Sequence, residues 1–312
     1  MKPSSALFLG ILLGVALGIT SYQCFFKKGR PLHFLTSIKR SKVPFKQNIA
    51  KVPDDIKINH SFLIVVPSYN NAKFCIKNIE SILIQDYPFY RVVYVDDAST
   101  DGTLEIVKTL VEKSGSRDKF EFVQNKINLG AVANIYRACH AAKDSEIVVV
   151  LDGDDQLASH FVLSKLNAYY NNKDIWITYG QLVDYPNFDI GPSVPIEIKD
   201  LVDPKIRKMT WRTSHLRTFY AGLYKKIKLE DLQYNGKFLD ASGDLAIMFP
   251  MIEMAREHTA FIPDIFCIYN NQNPLSDQKV KREKQLLYDK YIRNKPIYNK
   301  LDTVDFLPQD IL

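Results

Sequence analysis

The sequence predicts an α/β domain built on a mixed, largely parallel sheet flanked by helices, with an apolar N-terminal segment long enough to form a transmembrane helix. Two observations predict the domain. From Ser61 to Leu151, apolar runs of five or six residues alternate with amphipathic stretches of helical period, the pattern of parallel strands joined by crossover helices. Each run also closes on polar residues, and in open α/β sheets that carboxyl edge is where ligands bind.

The elements follow in order. Strands are expected at residues 62–66, 91–95, 120–124 and 146–151, and helices at residues 72–85, 103–113 and 131–142. The second half is less regular. It offers a strand at residues 176–180, a Pro-rich loop from Tyr185 to Pro204, and loop and helix over Trp211–Lys226. A helix over Asp244–His258 and a pair of short strands over Phe261–Tyr269 complete the domain, and a charged, helix-like tail follows Leu275. The organisation expected is an anchor and basic flank at 1–30, a tether at 31–60, a catalytic domain at 61–275 and the tail at 276–312.

The 312 residues, 46% hydrophobic and 24% charged, suffice for a sizeable core. The net charge of +6 is concentrated in Lys27, Lys28, Arg30, Lys39, Arg40, Lys42 and Lys46, a stretch that no acid interrupts. It follows the uncharged run Ala6–Phe26, about the ~20 residues that cross a bilayer as a helix. Anionic lipid head groups are therefore the partner this charge suggests, and no nucleic-acid partner is expected. A cleaved leader is the alternative, but no A-x-A site follows, and the basic flank places the soluble part in the cytosol. Cys24, Cys75, Cys139 and Cys267 form no C-x-x-C pair and read as reduced thiols, the last three in apolar segments.

Asp152-Gly153-Asp154-Asp155 follows the fourth strand directly. Three carboxylates within four residues repel one another unless a cation neutralises them, and hard oxygen ligands suit Mg²⁺ or Mn²⁺ bridged to a diphosphate. Capping of the next helix is the other use for such a turn. Asp96 and Asp97 end the second strand, where carboxylates accept hydrogen bonds from a base or ribose, while Ser99 or Asp101 caps the helix beyond. Pro67-Ser68-Tyr69-Asn70 ends the first strand, with Tyr69 able to stack on a base and Asn70 to hydrogen-bond or cap.

VPSYN, VDDASTDGT, NLGAVAN and LDGDD, in that order, resemble the family 2 glycosyltransferases of the GT-A fold across residues 61–270. The resemblance implies a nucleotide-diphospho-sugar donor, with Pro67, Tyr69 and Asp97 around the base and Asp152 near the ribose. It implies Asp154 on the metal, a contact Asp155 shares or takes over. Asn128, Gly130 and Asn134 match the third motif, but Ala133 stands where Arg is common. The family's catalytic base is an Asp at a helix start, which here is Asp244, with Gly243 where Glu is usual. His215 and Arg217 resemble a segment on the acceptor or diphosphate side. Some relatives carry a further metal-ligand His near the C-terminus, whereas this chain has Asn270 and Asn271 there. The Q-x-x-R-W motif of processive members is absent.

The expected activity is inverting, non-processive transfer from a nucleotide-diphospho-sugar, UDP-linked foremost, to a glycan or lipid-linked acceptor in polysaccharide or lipopolysaccharide synthesis. A nucleotidyltransferase, or a glycan-binding domain that has lost turnover, is the alternative.

Overall fold

The computed structural model of the chain describes residues 48–53, 57–202 and 205–308. The run Ala6–Phe26 and its basic flank lie outside the described residues, as does Cys24. Among the described residues, no helix is long and apolar enough to cross a membrane.

The first half alternates strands and helices as expected: β1 (Phe62–Ser68), α1 (Cys75–Leu83), β2 (Tyr90–Asp96), α2 (Thr103–Ser114), β3 (Phe120–Gln124), α3 (Ala131–Ala141) and β4 (Ile147–Val150). The second half consists of β5 (Gln156–Leu157), α4 (Val162–Tyr170), β6 (Ile177–Tyr185), α5 (Ile198–Val202), β7 (Arg217–Tyr220), α6 (Ala221–Tyr224), β8 (Gln233–Tyr234), β9 (Lys237–Phe238), α7 (Gly243–Ala255), β10 (Thr259–Asn270), α8 (Asp277–Val280) and α9 (Arg282–Arg293). The main sheet runs β3-β2-β1-β4-β7-β6-β10-β5. β1 pairs in parallel with β2 and β4, β2 with β3, and β6 with β10, while β7 is antiparallel to both its neighbours. All seven residues of β1 are buried, which is why the strand reads as one apolar run instead of alternating. Cys75, Cys139 and Cys267 are buried, free thiols.

The structure departs from the expected pattern in three places, two of them in the second half. Arg217–Tyr220 is a strand, and the helix expected there is confined to Ala221–Tyr224. Pairing against β4 and β6 decides this, because Thr218, Phe219 and Tyr220 are β-branched or aromatic and lie between two ready ladders. β10 is a single strand of 12 residues with register shifts after Ile262 and Ile265; Pro263, which has no N–H to give the ladder, falls at the first shift. The end of the expected tether also joins the domain: Phe261 N–H donates to Asn48 O and Ala50 N–H to Phe261 O, burying Ala50.

α7 is buried from Leu245 to Ala255, and its one acidic residue in that span, Glu253, faces Arg207 in a fully buried ion pair. Arg207 Nε and Nη2 donate to the two Glu253 oxygens at 2.5 and 2.8 Å, and Nη1 donates to Ile292 O at 2.6 Å, tying α7 to α9. Breaking a buried pair by removing one partner leaves a charge without compensation, at a cost of about 3–5 kcal/mol. Glu253→Ala is therefore expected to lower the unfolding free energy by about that amount in urea denaturation. A loss below about 1 kcal/mol would show that the pair does not hold α7 in place.

Candidate active site

The carboxyl ends of β1, β2 and β4 open onto a cleft of about 650 Å³. Pro67 and Tyr69 line it from the β1 end, Asp97 from the β2 end, and Asn128 and Asn134 from the α3 side. Tyr69 is 42% exposed, so its ring is available to a ligand. Asn70 does not line the cleft: its Oδ1 accepts the Thr100 N–H and its own N–H donates to Ser99 Oγ, joining the β1 and β2 loops. Its neighbour Asn71 takes the cleft position. Asp101 caps α2, accepting from Thr103 N–H. Asp97 accepts from Asn125 Nδ2, Leu129 N–H and Gly130 N–H at 2.7–2.9 Å, so its charge fixes the loop before α3. Asn134 accepts from Asn125, while its buried Nδ2 has no partner among the described residues.

The β4 end makes a tight turn in which Asp155 N–H donates to Asp152 O, and Asn78 Nδ2 donates to the carbonyls of both residues. A Cβ on Gly153 would lie 2.5 Å from Ser68 Oγ and 2.8 Å from Asn71 Nδ2, so only glycine lets the turn press against β1. Asp152 and Asp154 line the cleft. Burial drives the Asp152 carboxyl up to about 6, with Arg217 opposing and Asp154, Asp277 and Asp244 adding to the rise. Burial also raises Asp154, whose Oδ2 accepts from Asn273 Nδ2 at 2.7 Å. Asp155, expected beside Asp154 at the metal, does not line the cleft: it is fully buried and its Oδ1 accepts the Asn270 N–H.

Across the cleft, Asp244 opens α7, and its carboxylate lies 3.5 Å from Arg217 Nη1. Burial raises its proton affinity and Arg217 holds it down. A Cβ on Gly243 would lie 2.4 Å from Val132 Cγ2, so the packing of α3 excludes a side chain where relatives are expected to carry Glu. Arg217 and His215 line the cleft, and Arg217 Nη2 lies 3.1 Å from His215 Nε2. Desolvation, then the Arg217 charge, push the His215 imidazole well below its usual range. His215, Asp155 and Cys267 bring ligating atoms within 4.8 Å of one another, but the adjoining guanidinium disfavours a cation there.

The C-terminal segment forms a wall of the same cleft. Ser276, Asp277, Lys281 and Gln285 line it, and Asp240, just before the Asp244 loop, accepts from Lys284 Nζ and Tyr288 Oη while Lys281 Nζ donates to its carbonyl. Sequence reading reached none of these, nor Asn273 or Trp211, because nothing local in a charged helical tail announces its distant partners. Eight aspartates line the cleft against one arginine and one lysine. An anionic diphosphate is repelled from such a site unless a cation enters with it.

A GT-A-like sheet whose parallel half presents a D-x-D turn to a nucleotide-sized cleft is the architecture of nucleotide-sugar transferases. The chain matches the family described as Glycosyl transferase family 2 over residues 63–237, and it belongs to that family. It is 27% identical over 207 residues to a Campylobacter jejuni enzyme, GalNAc(5)-diNAcBac-PP-undecaprenol beta-1,3-glucosyltransferase, covering 66% of this chain and 63% of that one. Its fold is similar to that of a Pyrobaculum calidifontis mannosyltransferase in complex with GDP-Man and Mn²⁺, with a TM-score of 0.56 and 20% identity over 80% of this chain and 69% of that one. It is likewise similar to Staphylococcus aureus TarS 1-349 in complex with UDP-GlcNAc, with a TM-score of 0.53 and 20% identity over 68% and 59% of the two chains. The chain spans between 16% and 63% of the length of the curated relatives it matches.

The Asp152 carboxyl, held up to about 6 against about 3.9 in an unfolded chain, gives a stability signal. The folded state binds this proton more tightly, so the contribution is full at low pH and is lost as pH rises from about 4 to about 6. His60 and His215, both lowered by burial, slope the opposite way, so the effect is isolated against Asp152→Asn. Without divalent metal, the wild type is expected to lose up to about 3 kcal/mol relative to that variant over this range, and Mn²⁺ is expected to remove the loss. A difference independent of pH contradicts the burial of this charge.

Proposed function

We propose that the chain is an inverting, divalent-metal-dependent glycosyltransferase that takes a sugar from a nucleotide-diphospho-sugar, UDP-linked foremost. It passes the sugar to a hydroxyl of a glycan or lipid-linked acceptor in cell-surface polysaccharide or lipopolysaccharide synthesis. The observation that carries this reading is the pair of half-buried, cation-deficient carboxylates Asp152 and Asp154 that line one cleft with Asp244.

Tyr69 and Pro67 frame the base, in a pocket whose α3 loop Asp97 holds in place. Asn134 Nδ2, buried without a partner, offers a hydrogen bond to a donor oxygen. Asp152 would lie nearer the ribose and Asp154 would hold Mn²⁺ or Mg²⁺, to which the excess of acid in the cleft is suited; Asp155 supports the turn by accepting the Asn270 N–H. The cation's contribution is to neutralise charge on the departing diphosphate. Asp244 accepts the acceptor hydroxyl's proton as that oxygen attacks the anomeric carbon from the face opposite the diphosphate. The new C–O bond forms as the bond to the diphosphate oxygen breaks, and the leaving group keeps the electron pair. Arg217, beside Asp244, opposes the rise that burial imposes on the Asp244 carboxyl and places positive charge near the diphosphate.

The relatives named for undecaprenol-linked and polyol-phosphate acceptors support a surface-glycan role. The apolar run Ala6–Phe26 and the basic stretch after it support a single-pass anchor with the catalytic domain in the cytosol. Gly243 and Ala133 are the two features that favour an inactive relative; Gly243 has the packing explanation given above.

Two measurements test the proposal. Thermal stabilisation by a panel of nucleotide sugars, with and without Mn²⁺, is expected to single out one donor and to require the metal, rising by about 2.7 kcal/mol at 100 times its dissociation constant. With that donor, Asp244→Asn is expected to lower turnover by about 10²–10⁴ while nucleotide affinity stays within about twofold. Turnover equal to wild type in that variant assigns the base elsewhere.

A further inference from the structure

Trp211, Asp184, Asp189 and Ile190 also line the cleft, and nothing so far gives them a role. Trp211 is half-buried and stands edge-on to Phe249, with ring centroids 5.4 Å apart at 89°. Phe249 is fully buried, with the guanidinium groups of Arg207 and Arg293 at 5.7 and 5.2 Å from its centroid, so the indole rests on a fixed support. Phe249 lies five residues beyond Asp244 on α7, about 7.5 Å along the helix axis.

The loop that carries Asp184, Asp189 and Ile190 is equally fixed. Asp184 Oδ1 accepts the Asp189 N–H at 2.7 Å, Asp184 N–H donates to Asp189 O, and Val183 bridges to Ile190. Ser214 N–H donates to Ser193 Oγ and Gln181 Nε2 to Ser193 O, joining this loop to the segment that carries Trp211. A supported aromatic ring and carboxylates lining the same cleft match a pyranose ring, which presents an apolar C–H face and a rim of hydroxyl donors. The same carboxylates repel an anionic group. The cleft's two lining cations lie elsewhere, Arg217 against Asp244 and Lys281 on the C-terminal wall.

We propose that this part of the cleft binds an uncharged pyranoside unit of the acceptor, stacked on Trp211, and discriminates against an anionic polyol phosphate at the same place. The proposal rests on the donor reading above and deepens it by naming the acceptor class.

The chain has two tryptophans, and Trp176 is buried against His258. In full-length Trp176→Phe protein, therefore, indole emission reports on Trp211 alone. With UDP and Mn²⁺ present, titration with methyl pyranosides of glucose, galactose and N-acetylglucosamine is expected to give a saturable emission change for at least one, and ribitol 5-phosphate none. Calorimetry of the same pyranoside with Trp211→Ala is expected to show binding weakened by about tenfold or more, while UDP–Mn²⁺ affinity stays within about twofold. UDP–Mn²⁺ binding without any pyranoside response overturns the subsite alone, as does ribitol 5-phosphate binding as well as the sugars. Pyranoside binding without UDP–Mn²⁺ binding supports the subsite and removes the donor assignment, and loss of both overturns both.

Discussion

Acidic side chains that the fold places together without enough positive charge to balance them are the constraint on which the rest of this structure depends. Asp152 and Asp154 are carried into a half-buried position in the cleft by β4, and the turn between them is closed against β1 because residue 153 has no side chain. The protein supplies Asn273, an amide, to Asp154, and one guanidinium, Arg217, within reach of Asp152. Neither cancels the charge. A folded state that keeps such a cluster is stabilised by whatever cation-bearing ligand completes it, and this is how a stability defect becomes a binding site.

The sheet order explains why the acidic turn and Asp244 meet. β4 has β1 on one side and β7 on the other, so the residues at the carboxyl end of the parallel half adjoin the amino end of an antiparallel strand. Arg217, first residue of β7, pairs in register with Val150, last residue of β4, and so stands between the acidic turn and Asp244. α7 brings Asp244 in from the far side, held by the buried Arg207–Glu253 pair below and by the contacts of α9 on Asp240 beside it. The C-terminal segment is thus a structural part of the site, although its composition is that of a solvated tail.

Much of this was legible in the sequence. β1, β2 and β4 are runs of apolar residues buried on both faces, and their polar ends are the motif residues themselves, so periodicity and motif agree on one edge of the sheet. Asp152, Asp154 and Asp244 converge as their spacing and resemblance imply. What local pattern did not carry was pairing and side-chain direction. Arg217–Tyr220 follows helix-compatible residues yet becomes a strand because β4 and β6 each offer it a ladder. Asn70 and Asp155 have the right chemistry, but each is turned into hydrogen bonds that build the loop, leaving Asn71 and Asp154 in the cleft. Asn273, Trp211 and Asp277 reach the site from segments with no motif, through tertiary packing alone.

The most direct test is calorimetric titration of UDP and Mn²⁺ into protein in which Asp152 and Asp154 are both changed to Ala, beside the wild type. Binding linked to the cation through this turn predicts that the double variant stays folded and loses affinity for the pair by about a hundredfold or more, whereas the wild type binds UDP tightly only when Mn²⁺ is present. Equal affinity in the two proteins, or UDP binding to the wild type that ignores the metal, would contradict the account.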